Sequence, residues 1–535
     1  MTAKKQTERG RHESVPIVVG VTGHRNIREQ DRKALFEAVL DELKKLRALC
    51  PHSELVMLNS LAEGADLLCA EAALALNIPL IAVLPFERER YALDFSEAGH
   101  AVFASCCEHT RSLFIAPPTE AVPPDGLTRA FCFRQAGIYV ASHSHVLLAL
   151  WDGKPGTEAA CGTADAVDFA LAGSYLPAKG LPLRSGENEA VLHILCPRDS
   201  ETSEKPGTVR VLGNWEAVRG QLRETDEFNR MTAELPKDMG SRLPQDADGD
   251  FLLDRMDALS RAAGTISRQS ARRYRLVLAL LAAASSLLTF AFLLYDEAQA
   301  IGMIFVCGLM LLAAWGLLHY AARSGCHRCY IDCRALAEWL RVQCYLRYAG
   351  SLTEISSLLS WTQREESAWL VTALCALNVG PAPDKAHEIR SCWVEAQRDY
   401  HKNAAKRAGQ RLHASERTVR AALAVSVSLY LAALCFELLC GGIARAAALP
   451  RGPGRNLAHR SEAPARRSLR HYDLRRQLLW PSLSAAVRGR PQKDGKILRL
   501  CRRHSCPKRA GRNAADTARR GRADRKRELV LLSVG

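Results

Sequence analysis

From about residue 15 to 200, short apolar runs alternate with longer amphipathic stretches. The run Pro16-Ile17-Val18-Val19-Gly20-Val21 reads as a buried strand that empties into the turn Thr22-Gly23-His24-Arg25. Over 29–49, Leu35, Phe36, Val39, Leu40, Leu43 and Leu46 fall on one face of a helix. Further strands are predicted at 55–58, 79–84, 112–116 and 146–151, with a helix over 63–76. A last run at 191–196 is expected to close the sheet. Such alternation predicts a parallel sheet covered by helices on both faces, an α/β Rossmann-like domain.

The pattern changes after 200. Residues 201–273 are polar and read as a mostly helical linker. Residues 276–295 and 300–322 then carry no Asp, Glu, Lys or Arg, and each run is long enough to cross a bilayer. Arg268, Arg272, Arg273 and Arg275 precede the first run, Arg323 and Arg328 follow the second, and Asp296 and Glu297 lie between them. Basic outer flanks with an acidic link predict a hairpin whose flanks face the cytoplasm. A helical segment follows, and 421–440 forms a third apolar run with Arg407, Arg411, Arg417 and Arg420 ahead of it. The expected membrane domain covers 274–442. An odd number of crossings would put the basic tail beyond 443 outside, against the charge bias.

Composition narrows the classes. The net charge of +16 suggests nucleic acid, but residues 443–535 hold about 25 Lys and Arg against about 6 acids, more than the whole excess. The rest of the chain is near neutral, so no specific nucleic-acid partner is expected. Two readings stay open for the low-order tail: a disordered polybasic arm for anionic lipid or nucleic acid, or a sequence read out of frame. Residues 1–14 are polar, read as disordered, and contain no signal-peptide core. The 18 cysteines lack a disulfide spacing and point to a reducing compartment. The chain is therefore expected in a bacterial-type inner membrane, multi-pass, with its first domain cytoplasmic.

Three loops sit where ligands bind in open α/β folds, at the carboxyl edge of the predicted sheet. In the first, Gly23 permits close backbone approach, His24 follows, and Arg25 can hold a phosphate. The second, Ser60-Leu61-Ala62-Glu63-Gly64-Ala65-Asp66, opens a helix whose N–H groups could take an anion. Its structural alternative is capping by Ser60 or Glu63. The third joins Asp152 and Gly153 to Gly162, Thr163, Ala164 and Asp165, a strand end and helix start suited to a sugar phosphate. Together these name Gly23, His24, Arg25, Ser60, Glu63, Gly64, Asp66, Asp152, Gly162, Thr163 and Asp165 as candidate ligand contacts. No catalytic residue, metal ligand or fixed cofactor is assigned. Cys326-His327-Arg328-Cys329 with Cys333 has metal-like spacing but falls in a predicted helix.

The runs Val21-Thr22-Gly23-His24-Arg25, Ser60 to Asp66, Leu84-Pro85-Phe86 with Tyr91 and Asp94-Phe95, and Leu150-Trp151-Asp152-Gly153 with Gly162 to Asp165 resemble the SLOG superfamily. That resemblance covers about 15–200. It implies a Rossmann-like domain related to the Lonely-guy phosphoribohydrolases and DNA-processing protein A, and a nucleotide-derived ligand. The segment Tyr330-Ile331-Asp332-Cys333-Arg334-Ala335-Leu336-Ala337-Glu338-Trp339-Leu340-Arg341, with Trp393-Val394, Gln397 and Tyr400, is similar to SLATT domains. Those domains are expected to be pore-forming effectors of bacterial conflict systems, acting as oligomers in a lipid bilayer. On the residues alone, Arg334, Glu338 and Arg341 make an ion-pair ladder along one helix face. The alternative is a membrane-tethered nucleotide N-glycosidase of the Lonely-guy type, using Glu63 or Asp165. Against it, Ala160-Cys161-Gly162-Thr163-Ala164-Asp165 lacks the Pro-Gly-Gly lead and the catalytic Glu of those enzymes.

Overall fold

The fold is that of a computed structural model, described over residues 14–119, 122, 126–156, 161–172, 189–198, 205–236, 243, 250–298, 301–359, 367–381, 383, 386–387 and 389–447. The tail from 448, residues 1–13 and Ala160 lie outside the described residues.

Seven strands form one sheet in the order β4-β3-β2-β1-β5-β6-β7. They are β1 (Ile17–Gly23), β2 (Leu55–Asn59), β3 (Leu80–Leu84), β4 (Thr110–Ile115), β5 (Val146–Trp151), β6 (Ala190–Leu195) and β7 (Val209–Gly213). All pairings are parallel except β6 with β7. Side chains of β1 alternate between two cores, as a strand with period two requires. Ile17, Val19 and Val21 meet Leu35, Val39 and Leu43 of α1 (Glu29–Leu49) and Leu68 of α2 (Ala65–Ala75). Val18 faces the other way, towards Val56, Val83, Tyr139 and Val140. The short helices α3 (Arg88–Ala92) and α4 (Glu97–Glu108) and the longer α5 (Arg129–His143) and α6 (Thr163–Ala172) complete the α/β layers.

Two features differ from the expectation of a sheet closed at 196 and a helical linker after it. The edge strand β7 lies inside 201–273, pairing Val209 with Ile194 through Gly213 with Ala190. Its side chains are mostly half-buried or exposed, so no apolar run announces it. After it, α7 (Trp215–Ala233) buries Val218, Leu222 and Phe228, and Asn229 bonds both backbone groups of Val15. Ser14, expected in a disordered arm, is itself buried.

The helix α8 (Phe251–Ala298) runs unbroken for 48 residues through two environments. Its first half buries Leu253, Met256, Leu259, Ala263 and Ile266 at helical spacing. The partner along this seam is α10 (Cys326–Tyr348), running antiparallel. Cys344 Sγ donates to Leu253 O (3.7 Å), Ser260 Oγ to Ala337 O (2.7 Å) and Ser267 Oγ to Tyr330 O (3.1 Å). Beyond Arg275 the same helix turns outward-apolar, with Leu276, Leu287, Phe290 and Phe292 more than half exposed. The helix α9 (Gly302–Ser324) buries nothing and exposes Phe305, Leu312 and Trp315. Fully exposed apolar rods are unfavourable in water and natural in lipid, where a helix satisfies its own backbone. With α12 (Ala396–Ala447), three helices are long and apolar enough to cross a membrane.

Residues after the hairpin return to the α/β layers. The apolar helix α11 (Ala368–Leu377) is buried along its length, and Ala376 and Val379 join the core that contains Val18 and Tyr139. Glu354 accepts from His143 Nε2 (2.8 Å) and Asn378 Nδ2 (3.1 Å), and the Gly380 N–H reaches Tyr139 Oη (3.3 Å). The chain to Arg398 thus forms one compact unit, and a second begins at Asp399. In the ladder expected on α10, Glu338 pairs with Arg341.

Arg255 pins α8 to the sheet domain. Its buried guanidinium donates to Ser14 O (2.6 and 3.1 Å) and lies 3.9 Å from Glu54. Arg255→Ala should cost on the order of 2–3 kcal/mol by leaving Ser14 O and part of Glu54 uncompensated. Thermal unfolding of the detergent-solubilised chain, followed by tryptophan fluorescence, measures that loss.

Candidate functional site

In an open parallel sheet the carboxyl edge gapes where the strand order reverses, because neighbouring loops there leave in opposite directions. Here the chain winds outward from β1 to β4, then returns to place β5 on the other side of β1. The crevice therefore lies between the exits of β1 and β5, which carry Gly23-His24-Arg25 and Asp152-Gly153.

The two exits are tied through His24. Its buried ring sits with Nε2 3.1 Å from Asp152 Oδ1, while Arg198 Nη2 lies 2.6 Å from Nδ1. A guanidinium only donates, so Nδ1 accepts from Arg198, and the Asp152 backbone N–H lies 3.1 Å from Nε2. Burial and the Arg198 charge hold the His24 pKa below its ordinary value despite Asp152. Burial alone would raise the Asp152 carboxyl. The Lys154 N–H, His24 and Arg198 outweigh it and hold the pKa below the usual range. Arg198, at the exit of β6, keeps more than half of its side chain in solvent. The sequence reading missed it, although it follows the apolar run of β6 at the same edge as Arg25.

Arg25 forms the other wall. Its guanidinium lies 4.7 Å from the Phe133 ring centre, and among the described residues no carboxylate comes within ion-pair distance. Beneath it Phe86, Tyr91, Phe95, Phe103 and Phe133 pack as an aromatic nest with centroid spacings of 4.6–6.0 Å. Tyr91 Oη is buried there without a well-formed hydrogen bond among the described residues. Burial pushes the Asp66 carboxyl up to about 7, against the Ala62 N–H and the charge of Arg25. The charge of Arg25 also reaches Cys161, which puts the start of α6 on the same edge.

Several candidate residues have structural duties. Gly64 has φ +91°, and a Cβ there would meet Arg25 O at 2.0 Å. A Cβ on Gly23 would strike Ala65 at 2.3 Å. Both glycines thus let the β1 exit pack on the start of α2, where the Ala65 N–H donates to His24 O (3.0 Å). Glu63 does not cap its own helix. It accepts from the Ser96 N–H (3.1 Å) and the Ser96 hydroxyl, steadying the start of α4. Asp165 Oδ2 accepts from the Gly162 N–H (2.8 Å), reaching back across the first turn of α6. Ser60 and Thr163 are half-buried, and Gly162 is exposed. Asn59, which sequence reasoning missed, bonds Asp66 O (2.8 Å) and the Leu61 N–H (2.7 Å), holding Leu61 at φ +55°. The structure thus joins His24, Asp152 and Arg198 in one cluster and Arg25 with Asp66 in another. No family model matches this chain, and no curated protein matches it.

Because the folded pKa of Asp66 lies above its unfolded value near 3.9, the folded state binds the proton more tightly. Stability from this group is therefore lost as pH rises from about 4 to about 7, and stays lost above. Asp66→Asn can still accept from Ala62. It should raise stability at pH 8 by roughly 2–4 kcal/mol, an advantage that shrinks towards zero near pH 4. Melting curves of both proteins across that range test the sign.

Proposed function

We propose that the chain is a sensor of a nucleotide-derived ligand, with a SLOG-type domain coupled to SLATT-type membrane helices, in a bacterial conflict system. The observation that carries this reading is the pair of guanidiniums, Arg25 and Arg198, with solvent-facing surface at the β1/β5 crevice. Planar cations at such a crevice suit a phosphate or pyrophosphate, and the buried His24 ring holds Arg198 and Asp152 in place behind them. Thr163, at the start of α6, would add a backbone donor beside the Gly162 N–H that Asp165 holds.

The membrane reading follows from charge and packing. Arginines flank the hairpin outside 276–322, which favours a cytoplasmic α/β domain at the inner membrane. A ligand shifts the membrane helices only by binding one of their arrangements better than another. The path for such bias is α8, whose buried and apolar halves belong to one helix, and α11, which shares the sheet's core. No Asp, Glu, Lys or Arg lies within the two spans, so a non-selective pore built by a homo-oligomer suits them better than a selective channel. The glycosidase alternative is weaker, because Glu63 and Asp165 are both engaged at helix starts.

The test uses the full chain in mild detergent with linear, cyclic and ADP-ribose-type nucleotides, separating bound from free by chromatography. One nucleotide should be retained intact, and Arg25→Ala should weaken its binding by at least about tenfold, the loss of one charged hydrogen bond. Release of free base and sugar phosphate would support the glycosidase instead. Retention of none of the panel would remove the nucleotide reading.

A further inference from the structure

A pocket of about 610 Å³ lies at the base of the hairpin, walled by α7, α8, the end of α9 and the start of α10. Cys326, Cys329 and Cys333 all line it, together with Ser270, Arg273, Arg328 and Asp332. Cys50, Cys106 and Cys196 behave as small apolar groups: burial pushes the thiols of Cys50 and Cys106 up to about 12 and that of Cys196 to about 11. Cys329 has the opposite surroundings. It is half-buried in the pocket wall, and Ser270 Oγ donates to its sulfur across the α8–α10 seam at 3.3 Å. Cys333 Sγ lies 3.9 Å from it, one helical turn on. Arg273 shares the pocket, and among the described residues it has no carboxylate at ion-pair distance. Arg328 is occupied by Glu224 (2.8 Å) and Asp332 (3.5 Å). Hydroxyl and thiol donors with a nearby cation stabilise a thiolate, and a thiolate is the reactive form. Among the described residues no three His, Cys, Asp or Glu side chains are grouped to hold a metal ion, so these thiols carry no metal reading.

We propose that Cys329 and Cys333 form a redox-active thiol pair, with Cys329 the attacking sulfur and a hydroperoxide as oxidant. The Cys329 thiolate attacks one peroxide oxygen. The S–O bond forms, the O–O bond breaks, and the other oxygen leaves as an alcohol, or as water, after taking a proton. Cys329 is then a sulfenic acid, oxidised by two electrons, and the peroxide is reduced by two. The Cys333 thiol gives up its proton and attacks the Cys329 sulfur. The S–S bond forms, the S–O bond breaks, and the hydroxyl leaves as water with that proton.

The bridge changes local structure. Residues four apart on a helix keep their Cβ atoms roughly 5–6 Å apart, whereas a disulfide holds them near about 3.8 Å. Closing it therefore draws in the first turns of α10, which begin at Gly325 in a left-handed conformation with open space around it. The Ser270 contact that joins α10 to α8 would be strained with it.

The experiment treats the full chain in detergent with hydrogen peroxide, blocks free thiols with iodoacetamide, and maps cysteine peptides by mass spectrometry. A Cys329–Cys333 bridge is expected. Without oxidant, iodoacetamide should label Cys329 at least tenfold faster than Cys106 or Cys196. In Cys333→Ser, Cys329 should persist as a sulfenic acid trapped by dimedone. Labelling of Cys329 no faster than Cys106 would overturn the proposal, as would a bridge from Cys329 to Cys326. The wild-type map decides the matter without relying on a variant that has to fold.

Discussion

The antiparallel seam between α8 and α10 is the contact on which the rest of the arrangement depends. It is built from small residues: the Ser260 and Ser267 hydroxyls bond the backbone of Ala337 and Tyr330, and Gly264 lies against Ala337. Replacing Ser260 or Ser267 by a residue without a hydroxyl would lose these bonds across the seam. The seam lets one helix be buried in protein over its first half and stand exposed as an apolar rod over its second. Because α8 is unbroken, its buried half and its exposed apolar half belong to one helix. The hairpin is therefore an extension of the α/β unit and not a separate anchor joined by a linker.

The second constraint is the return of the chain to the sheet. After α10, the buried helix α11 fills the face of the sheet left open beside α5. Glu354 is half-buried there, yet its carboxyl is held below the ordinary range, because His143, Asn378 and Ser356 outweigh the cost of desolvation. Such a group is favourable only while its partners stay in place. The contact thus links α5, which leads directly into β5 and the crevice, to the segment that follows the hairpin.

Much of this was legible in the sequence, for reasons particular to each element. The runs of β1, β2, β3 and β5 are buried on both faces and announce themselves as continuous apolar stretches. The spans were equally plain, since absence of charge over 276–295 is a property of composition alone. The edge strand β7 was hidden, because half-exposed residues carry no strong pattern. Nor does the apolar run of α11 reveal that it packs on a sheet more than two hundred residues earlier. At the crevice, His24 and Asp152 were both recognised as candidates, but their bond joins residues 128 apart and depends on strand order. Arg198 was overlooked because it stands alone after β6. Gly23 and Gly64 were named as candidate ligand contacts, and each also makes room for the other's loop.

If a ligand at the β1/β5 crevice biases the helices, its occupancy is felt along α8. Hydrogen exchange on the full chain in lipid nanodiscs, with and without a nucleotide it retains, tests this most directly. Altered protection is expected at the β1 and β5 exits and also along 253–270 of α8 and the facing turns of α10. Altered protection confined to the loops at Gly23 and Asp152, with α8 unchanged, would contradict it.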